Sequence, residues 1–234
     1  MTYSVRYTLK NKDVNLHRKL RTSALFELLQ EASIEHTEEL GMGREMTLDR
    51  GFLWVVLQQR ADIARMPEYG ETITIETWPG ATMHVLFPRY YRVKDAHDEV
   101  LITGSAVWAL LDEQTRRMIF PDRNGIIIEG ETTGYEIDLP LPLKRAETDH
   151  QDSYTVRFCD CDLNGHMNNT HYFDLCENLL EHPSQGKDPV RIVTEYAHEA
   201  RYSEDIMVNW METEDIAVIY GDTEKTCFRM RFDY

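Results

Sequence analysis

The order of the predicted elements is the feature that most constrains this fold, because the same order occurs twice along the chain. In the first half, a strand at 4–9 precedes a helix that starts at Thr22 or Ser23 and runs to about Leu40. In the second half, a strand at 154–158 precedes a helix at about 167–180. Strand candidates follow each helix, at 52–64, 72–78, 85–93, 100–111 and 117–120, and then at 191–200, 206–212, 216–220 and 226–232. A repeated strand, helix and antiparallel meander indicates an internal duplication of an α+β unit.

The two halves also open on similar segments, Tyr3-Ser-Val-Arg-Tyr7 and Tyr154-Thr-Val-Arg-Phe158. An antiparallel sheet wrapped around one central helix is the hot-dog architecture, so the sequence predicts two tandem hot-dog units. We expect the first unit at 1–128, a linker at 129–150 and the second unit at 151–234. The linker lies in a stretch rich in glycine, proline and charged residues, with one further strand candidate at 125–129.

Charge and cysteine usage narrow the function. The formal net charge is −16, which argues against nucleic-acid binding, because phosphate contacts need clustered Lys and Arg. The longest apolar run, Phe52 to Leu57, is too short to span a membrane, and the N-terminus shows no apolar signal region. Cys159 and Cys161 are too close to form an ordinary disulfide, and the chain has no CxxC pair. We therefore expect a cytoplasmic, reducing location.

The most informative segment joins the second predicted strand to its helix and reads Cys159-Asp-Cys-Asp-Leu-Asn-Gly-His-Met-Asn-Asn-Thr-His-Tyr172. In an extended chain, Asp162, Asn164 and His166 point to the same side. Gly165 allows a tight turn, and the free N–H groups of the following helix suit the oxyanion formed at a thioester carbonyl. A simpler interpretation is a capped helix, with Asn168 or Asn169 as the cap.

This segment resembles the D-x-N-x-H-x-N-N segment of the acyl-acyl-carrier-protein thioesterases of bacteria and plant plastids. The resemblance covers nearly the whole chain. In that family a later strand carries a segment similar to E-Y-R-R-E-C, which here reads Glu195-Tyr-Ala-His-Glu199-Ala200. The resemblance implies that Glu199 is the catalytic carboxylate. Ala200 stands where many relatives have cysteine, so no thiol nucleophile is available at that position.

The resemblance implies hydrolysis of fatty acyl-carrier-protein without a metal or cofactor. Glu199 would activate water or attack the carbonyl, His166 and Asn164 would hold the thioester oxygen, and Asp162 would orient its neighbours. The implied partner is an acyl carrier protein with a phosphopantetheine-linked fatty acyl chain. The acyl chain would lie against the first unit. An acidic carrier would need a local basic patch on this acidic chain. The candidates are Arg18, Lys19 and Arg21, then Arg116 and Arg117, then Lys144 and Arg145; a homodimer is left open.

Other interpretations of the same residues remain open. A hot-dog acyl-CoA thioesterase and a non-catalytic acyl-binding module fit the same fold. Cys159 or Cys161 would form a thiol–His pair with His166. A zinc site of non-standard spacing would use both cysteines with His166 and His171. The weaker acid–base candidates are Glu195, His198 and, for a hot-dog dehydratase, Glu177. In the first half, Asp13-Val-Asn-Leu-His17 has the form of a decayed copy of the motif.

Overall fold

The computed structural model describes residues 2–234, except the side chains of Arg44 and Glu45; Met1, where the predicted first unit begins, lies outside the described residues. The first half contains β1 (Tyr3–Thr8), α1 (Thr22–Glu39), α2 (Arg44–Asp49), β2 (Phe52–Ile63), β3 (Thr72–Pro79), β4 (Leu86–Lys94) and β5 (Val100–Asp112). The second half contains β6 (His150–Thr155), α3 (His171–Leu179), α4 (Glu181–Ser184), β7 (Arg191–Tyr196), β8 (Asp205–Glu212), β9 (Ile216–Asp222) and β10 (Thr226–Asp233). Short 3₁₀ turns occupy Asn11–Asp13, Asp122–Asn124 and Phe158–Asp160.

All ten strands form one antiparallel sheet in the order β1-β3-β4-β5-β2-β7-β10-β9-β8-β6. The strand order therefore repeats from the two outer edges towards the central β2–β7 pair, where Arg60 lies opposite Val193. The helices α1 and α3 pack together on the sheet, and the rings of Phe26 and Phe173 stack with centroids 4.3 Å apart. This arrangement confirms the predicted α+β fold of two tandem hot-dog units.

The register of the repeat differs from the one that the opening segments predict. β6 begins and ends earlier than the predicted strand, so Tyr154 corresponds to Tyr7 and not to Tyr3. The two equivalent hydroxyls make equivalent bonds, from Tyr7 to Asp13 (2.9 Å) and from Tyr154 to Asp160 (2.6 Å). The prediction was wrong because the first four residues of β6 are exposed and polar, so no hydrophobic alternation marks its start.

Helix α1 matches its predicted bounds closely, but neither Thr22 nor Ser23 caps it. Arg21 occupies the cap position, and no side chain caps the first turn. The Thr22 hydroxyl donates to Glu177, and the Ser23 hydroxyl donates to Asp174 at 2.6 Å, so both bind α3 of the other unit. The two hydroxyls that the local sequence predicts as helix caps thus form tertiary hydrogen bonds instead.

The region between the units contains less regular structure than predicted. The expected strand at 117–120 is a short pairing, with the Arg117 carbonyl accepting from Asp112 N (2.9 Å) and a bridge between Leu111 and Met118. The expected strand at 125–129 is irregular, and residues 125–149 form no helix or strand. The unit boundaries at 128 and 150 stay predictions. Within residues 2–234, no helix is long and apolar enough to cross a membrane.

Candidate active site

The predicted motif folds into a tight turn between two paired residues, Cys161 and Met167; we call residues 161–167 the C-loop. Asp162 N donates to the His166 carbonyl at 3.0 Å, and Gly165 N donates to the Asp162 carbonyl at 3.0 Å. Gly165 has φ of 83°, a left-handed conformation that glycine adopts at little cost. The segment is therefore not extended, and the predicted alternation of Asp162, Asn164 and His166 does not apply.

The turn changes which side chains meet. The Asp162 carboxylate accepts hydrogen bonds from Asn164 N (2.7 Å) and from Asn164 Nδ2 (3.2 Å). Asp162 and His166 lie opposite each other across the turn through their backbone pairing. Asp162 therefore supports the conformation of the C-loop through its bonds to Asn164, and its part in catalysis stays a prediction.

The central contact of the site joins the C-loop to the segment after β7. His166 Nε2 lies 3.3 Å from Glu199 Oε1, and the two side chains are 18% and 29% exposed, so both are shielded yet reachable from solvent. The backbone fixes this contact, because Met167 N donates to the Ala200 carbonyl at 2.8 Å and His166 pairs with Arg201. The structure thus brings together the two side chains that the motif and the later segment assigned to chemistry.

A guanidinium of the first unit reaches the same carboxylate. Arg116 Nη1 lies 3.3 Å from Glu199 Oε1. Asp112 Oδ1 orders the turn before Arg116 by accepting bonds from Thr115 N (2.7 Å) and Thr115 Oγ1 (2.8 Å). From the sequence, Arg116 is predicted only as a docking candidate. Local sequence carries no signal for this contact, because it depends on how the first unit packs beside the second.

The two asparagines after the C-loop differ in their bonding. Asn168 Oδ1 accepts from Thr170 N (3.0 Å) and Thr170 Oγ1 (3.1 Å), and so orders the residues before α3. Asn169 accepts a bond from the Tyr196 hydroxyl on its backbone carbonyl at 3.0 Å. Its Nδ2 is buried and has no hydrogen-bond partner among the described residues. Asn169 therefore holds a donor beside the motif that no protein acceptor uses.

The weaker candidates lie elsewhere or have unsuitable surroundings. Glu195 is engaged by Arg229 and by the backbone N–H of Leu143 (2.9 Å), and His198 is exposed. Burial, with the carboxylates of Asp160 and Asp162, raises the pKa of the Cys161 thiol, which disfavours a thiolate nucleophile. In the described part of the chain, no cluster of three or more His, Cys, Asp or Glu residues could hold a metal ion.

The first unit contains an equivalent turn at residues 14–20, which we call the N-loop. Val14 and Leu20 pair as Cys161 and Met167 do, and Asn15 Oδ1 accepts from His17 N at 2.9 Å. Asn15 N also donates to the Lys19 carbonyl at 2.8 Å. The equivalent residues in the two loops are Asn15 and Asp162, His17 and Asn164, and Lys19 and His166.

This register corrects the sequence comparison of Asp13-Val-Asn-Leu-His17 with the motif. Asp13 corresponds to Asp160, since each accepts a tyrosine hydroxyl and a backbone N–H at the start of its turn. Leu20 N donates to the Pro67 carbonyl at 2.8 Å, as Met167 N does to Ala200. Met66 therefore occupies the position equivalent to Glu199.

Comparisons with known proteins agree with the fold and with the family that the sequence resembles. The family model "Acyl-ACP thioesterase N-terminal domain" matches residues 1–121, and "Acyl-ACP thioesterase C-terminal domain" matches residues 143–227. An acyl-[acyl-carrier-protein] hydrolase of Cuphea viscosissima is 26% identical over 210 residues, covering 83% of this chain and 51% of the relative. A dodecanoyl-[acyl-carrier-protein] hydrolase of Cinnamomum camphora is 26% identical, covering 72% and 48%. The chain thus spans about half the length of these curated relatives, both of which are named as chloroplastic.

Two solved structures show the same fold over nearly the whole chain. An acyl-ACP thioesterase from Bacteroides thetaiotaomicron superimposes with a TM-score of 0.82 at 18% identity, covering 99% of this chain and 97% of the other. The 12:0-ACP thioesterase from Umbellularia californica gives a TM-score of 0.80 at 20% identity, covering 99% and 96%. At these identities the likeness concerns the fold alone.

Proposed function

Because the chain belongs to the acyl-ACP thioesterase family, we propose that it hydrolyses a fatty acyl thioester carried by an acyl carrier protein. The products are a free fatty acid and the carrier thiol. The observation that carries this proposal is the contact between Glu199 and His166 on a turn that the backbone fixes at the start of the second unit's helix. A carboxylate beside an imidazole can move the protons that thioester hydrolysis requires.

Glu199 is the base in this proposal. It removes a proton from water as the oxygen attacks the thioester carbonyl, and the tetrahedral intermediate then breaks its C–S bond. The proton on Glu199 passes to the departing sulfur, so the carboxylate is regenerated. Direct attack by Glu199 is the alternative: it forms an acyl anhydride with loss of the thiol, and water then cleaves the anhydride. Both routes use the carboxylate as base or nucleophile, and the Arg116 guanidinium lies 3.3 Å from it, where it can hold the carboxylate in place.

Polar donors around the C-loop would hold the oxygen that becomes negative. His166 lies against Glu199, and Asn164 is ordered by its two bonds to Asp162. The buried Nδ2 of Asn169 is a further donor without a hydrogen-bond partner among the described residues, so it is suited to donate to a substrate oxygen. A preorganised donor of this kind typically contributes on the order of 10²–10³ in rate. We assign the oxyanion to this group of donors.

The acyl chain would lie against the first unit. A second apolar cluster, separate from the main core, forms there around the buried residues Phe87, Leu110 and Ile126. Trp54 and Trp108 pack against it while remaining only partly buried. Apolar walls with incomplete burial suit a flexible hydrocarbon chain. This supports the assignment of acyl binding to the first unit and hydrolysis to the second.

The proposed setting is the cytoplasm and fatty acid synthesis. All four cysteines are free, which supports a reducing compartment. The plant relatives carry the word chloroplastic in their names, and a plastid stroma would be equally reducing. Localising a tagged chain in its own cells tests this part of the proposal separately.

Hydrolysis of acyl-carrier-protein esters of graded chain length by the purified protein and by Glu199→Gln tests the function. The amide keeps the shape of the carboxylate and cannot act as a base, so we expect turnover to fall by about 10²–10⁴-fold. The double variant Cys159→Ala with Cys161→Ala is the matched control and should keep most of its activity. Matched acyl-CoA esters test the acyl-CoA alternative in the same assay.

Each alternative has its own outcome in this experiment. A wild-type protein that releases no fatty acid from any ester is a binding module, and the proposed function is then wrong. Faster turnover of acyl-CoA than of acyl-carrier-protein would replace the substrate. An inactive cysteine variant beside an active Glu199→Gln enzyme would establish a thiol mechanism instead.

A further inference from the structure

Three exposed apolar side chains surround the C-loop. Phe158, Leu163 and Tyr202 are 80%, 75% and 59% exposed. The rings of Phe158 and Tyr202 lie edge to face with centroids 6.3 Å apart. Large apolar side chains grouped on a surface commonly mark a site of interaction. We call these three residues, with Arg157 and Arg201, the rim patch.

The rim patch borders the proposed catalytic pair. Leu163 is the residue between Asp162 and Asn164, and Arg201 pairs through its backbone with His166. Phe158 begins the 3₁₀ turn that leads into the C-loop. A macromolecule that presents a thioester to His166 and Glu199 from the side of the C-loop would therefore meet this surface.

The equivalent surface of the first unit shows which of these residues the fold itself requires. Leu16 and Tyr69, the equivalents of Leu163 and Tyr202, are also exposed, at 79% and 50%. An exposed leucine and tyrosine are thus common to both turns and say little about function. Lys10 is the equivalent of Arg157, so among the five rim-patch residues only Phe158 and Arg201 have an equivalent of different chemical character.

At the positions of Phe158 and Arg201, a phenyl ring and a guanidinium replace an amide and a carboxylate, although the N-loop itself carries more cations, Arg18 and Lys19, than the C-loop does. Asn11 stands at the position of Phe158 and Glu68 at that of Arg201, each in the same local structure. The turn therefore forms without an exposed phenylalanine or an arginine. Phe158 and Arg201 lie beside the loop that carries His166, which makes them the rim residues to test for contact with the substrate's carrier.

Charge favours an acidic partner at this rim. The chain carries a net charge of −16, so an acidic protein needs a local group of cations to approach it productively. Arg157 and Arg201 are exposed on the rim, and Arg117 is exposed on the neighbouring turn of the first unit, next to Arg116, which holds Glu199. Asp160 and Glu204 also lie here, but Asp160 accepts from Arg157 N (2.7 Å) and Glu204 from Arg201 N (2.9 Å).

The other predicted basic clusters are largely engaged within the chain. Lys19 pairs with Asp188 at 2.6 Å, and Arg21 lies 3.4 Å from Asp174. Arg145 binds Asp222 at 2.8 Å. Of the three predicted clusters, the pair Arg116 and Arg117 is the one that lies beside Glu199.

We propose that the rim patch is the docking surface for the acyl carrier protein, with Phe158 as the apolar anchor and Arg201 as the steering charge. The proposal rests on the proposed function, since it takes the carrier-bound thioester as the substrate. A buried aromatic anchor surrounded by charged residues is a common arrangement for affinity and fast association.

Transplanting the first unit's residues tests the docking surface. The double variant Phe158→Asn with Arg201→Glu carries the residues that the same turn already accommodates in the first unit. We expect kcat/KM for an acyl-carrier-protein ester to fall about tenfold or more, chiefly through KM. The loss for the same acyl group on free pantetheine should be several-fold smaller. Raising the ionic strength should narrow the difference between wild type and variant on the carrier ester.

The reciprocal variant Asn11→Phe with Glu68→Arg is the matched control, and it should leave both rates unchanged. Equal losses on carrier and pantetheine esters would show that the rim residues act on the C-loop, and docking there is wrong. An unchanged rate on both esters, with wild-type turnover intact, overturns the docking surface while the proposed function stands. Rim-dependent binding to anionic vesicles, or rim-dependent dimerisation in sedimentation, without a change in KM for the carrier ester would assign the patch to a membrane or a second copy.

Discussion

The N-loop and the C-loop share one backbone conformation but carry different side chains at the positions of the proposed chemistry. Both turns close with the same pattern of main-chain hydrogen bonds, and a tyrosine–aspartate bond precedes each. The C-loop places His166 beside Glu199. In the first unit, Lys19 of the N-loop is the equivalent of His166, and Met66, which is 3% exposed, is the equivalent of Glu199. Main-chain hydrogen bonds therefore form this turn in both units, and our proposal assigns the acid–base chemistry to the pair His166 and Glu199.

The two loops also differ in what covers them. His17 Nε2 lies 3.0 Å from the Ser184 carbonyl, and Lys19 Nζ binds Asp188. Gly186 approaches the His17 ring so closely that an added Cβ would lie 3.1 Å from Nδ1, and its φ is 79°. The segment 184–188 of the second unit therefore closes the N-loop, whereas Glu199 beside the C-loop stays 29% exposed. One turn has become an internal contact and the other a surface site.

The largest expected effect comes from giving the C-loop the N-loop's side chains. His166→Lys with Glu199→Met should lower kcat by about 10⁴-fold or more, because it removes the base and its imidazole partner together. The combined loss should be smaller than the product of the single losses, since both groups act on one transition state. Single-turnover rates on an acyl-carrier-protein ester measure this effect.

Lys19→Gln in the N-loop is the matched control and should leave turnover intact. The thermal midpoint of the double variant should stay near that of wild type, because the first unit already holds the same pair in the same backbone. A double variant that retains more than about a tenth of wild-type kcat would contradict the assigned roles.

The helices offer a second comparison, between Glu177 on α3 and Gln30 at the equivalent position on α1. Glu177 accepts the Thr22 hydroxyl across the helix pair, and burial, with the charge of Asp174, raises the pKa of its carboxyl from 4.5 to about 7. The carboxyl is protonated in both states below about pH 4.5. Between pH 4.5 and 7 the unfolded chain ionises first, so the free energy of unfolding falls with rising pH and levels off above about 7.

Glu177→Gln gives this position the residue found at Gln30, so the free energy of unfolding should no longer fall between pH 4.5 and 7 through this group. We expect the variant to be more stable than wild type by about 2 kcal/mol at pH 8 and nearly equal at pH 4.5; the value is reduced from the full linkage because the side chain is partly exposed. Urea unfolding at a series of pH values measures the difference. Stability curves that run parallel for the two proteins would show that Glu177 does not titrate with folding.

The sequence predicted most of the architecture and part of the site. The duplication and α1 followed from periodicity, and the motif with its later glutamate identified His166 and Glu199 for inspection. The register of the repeat was missed because β6 is a polar edge strand without alternation. The turn at Gly165 was expected, but its effect on Asp162 depends on a backbone pairing with His166 that spacing alone does not reveal. Arg116 could not be found, because its contact forms only when the two units pack.

Arg116 adds a further difference between the two units, because it contacts Glu199 beside the C-loop, and the equivalent residue of the first unit is Met66. Arg116→Gln should lower kcat about tenfold with little change in KM, because the guanidinium holds the Glu199 carboxylate and does not touch the acyl chain in our proposal. Arg117→Gln, on the next residue, is the matched control for charge and should leave kcat unchanged. Arg116→Lys should recover part of the loss. A change in KM alone would reassign Arg116 to carrier docking.

The smallest effect concerns the ion pair that closes the N-loop. Lys19 Nζ and Asp188 Oδ2 lie 2.6 Å apart, but the side chains are 28% and 31% exposed, so solvent screens the pair. Asp188→Asn should lower the free energy of unfolding by about 0.5 kcal/mol and leave thioester hydrolysis unchanged. A double-mutant cycle with Lys19→Gln, measured by urea unfolding, isolates the coupling between the two side chains. A coupling above about 2 kcal/mol would mean that the pair behaves as a buried one. A loss of hydrolysis with normal stability would show that the N-loop affects the C-loop, so the two turns would not act independently.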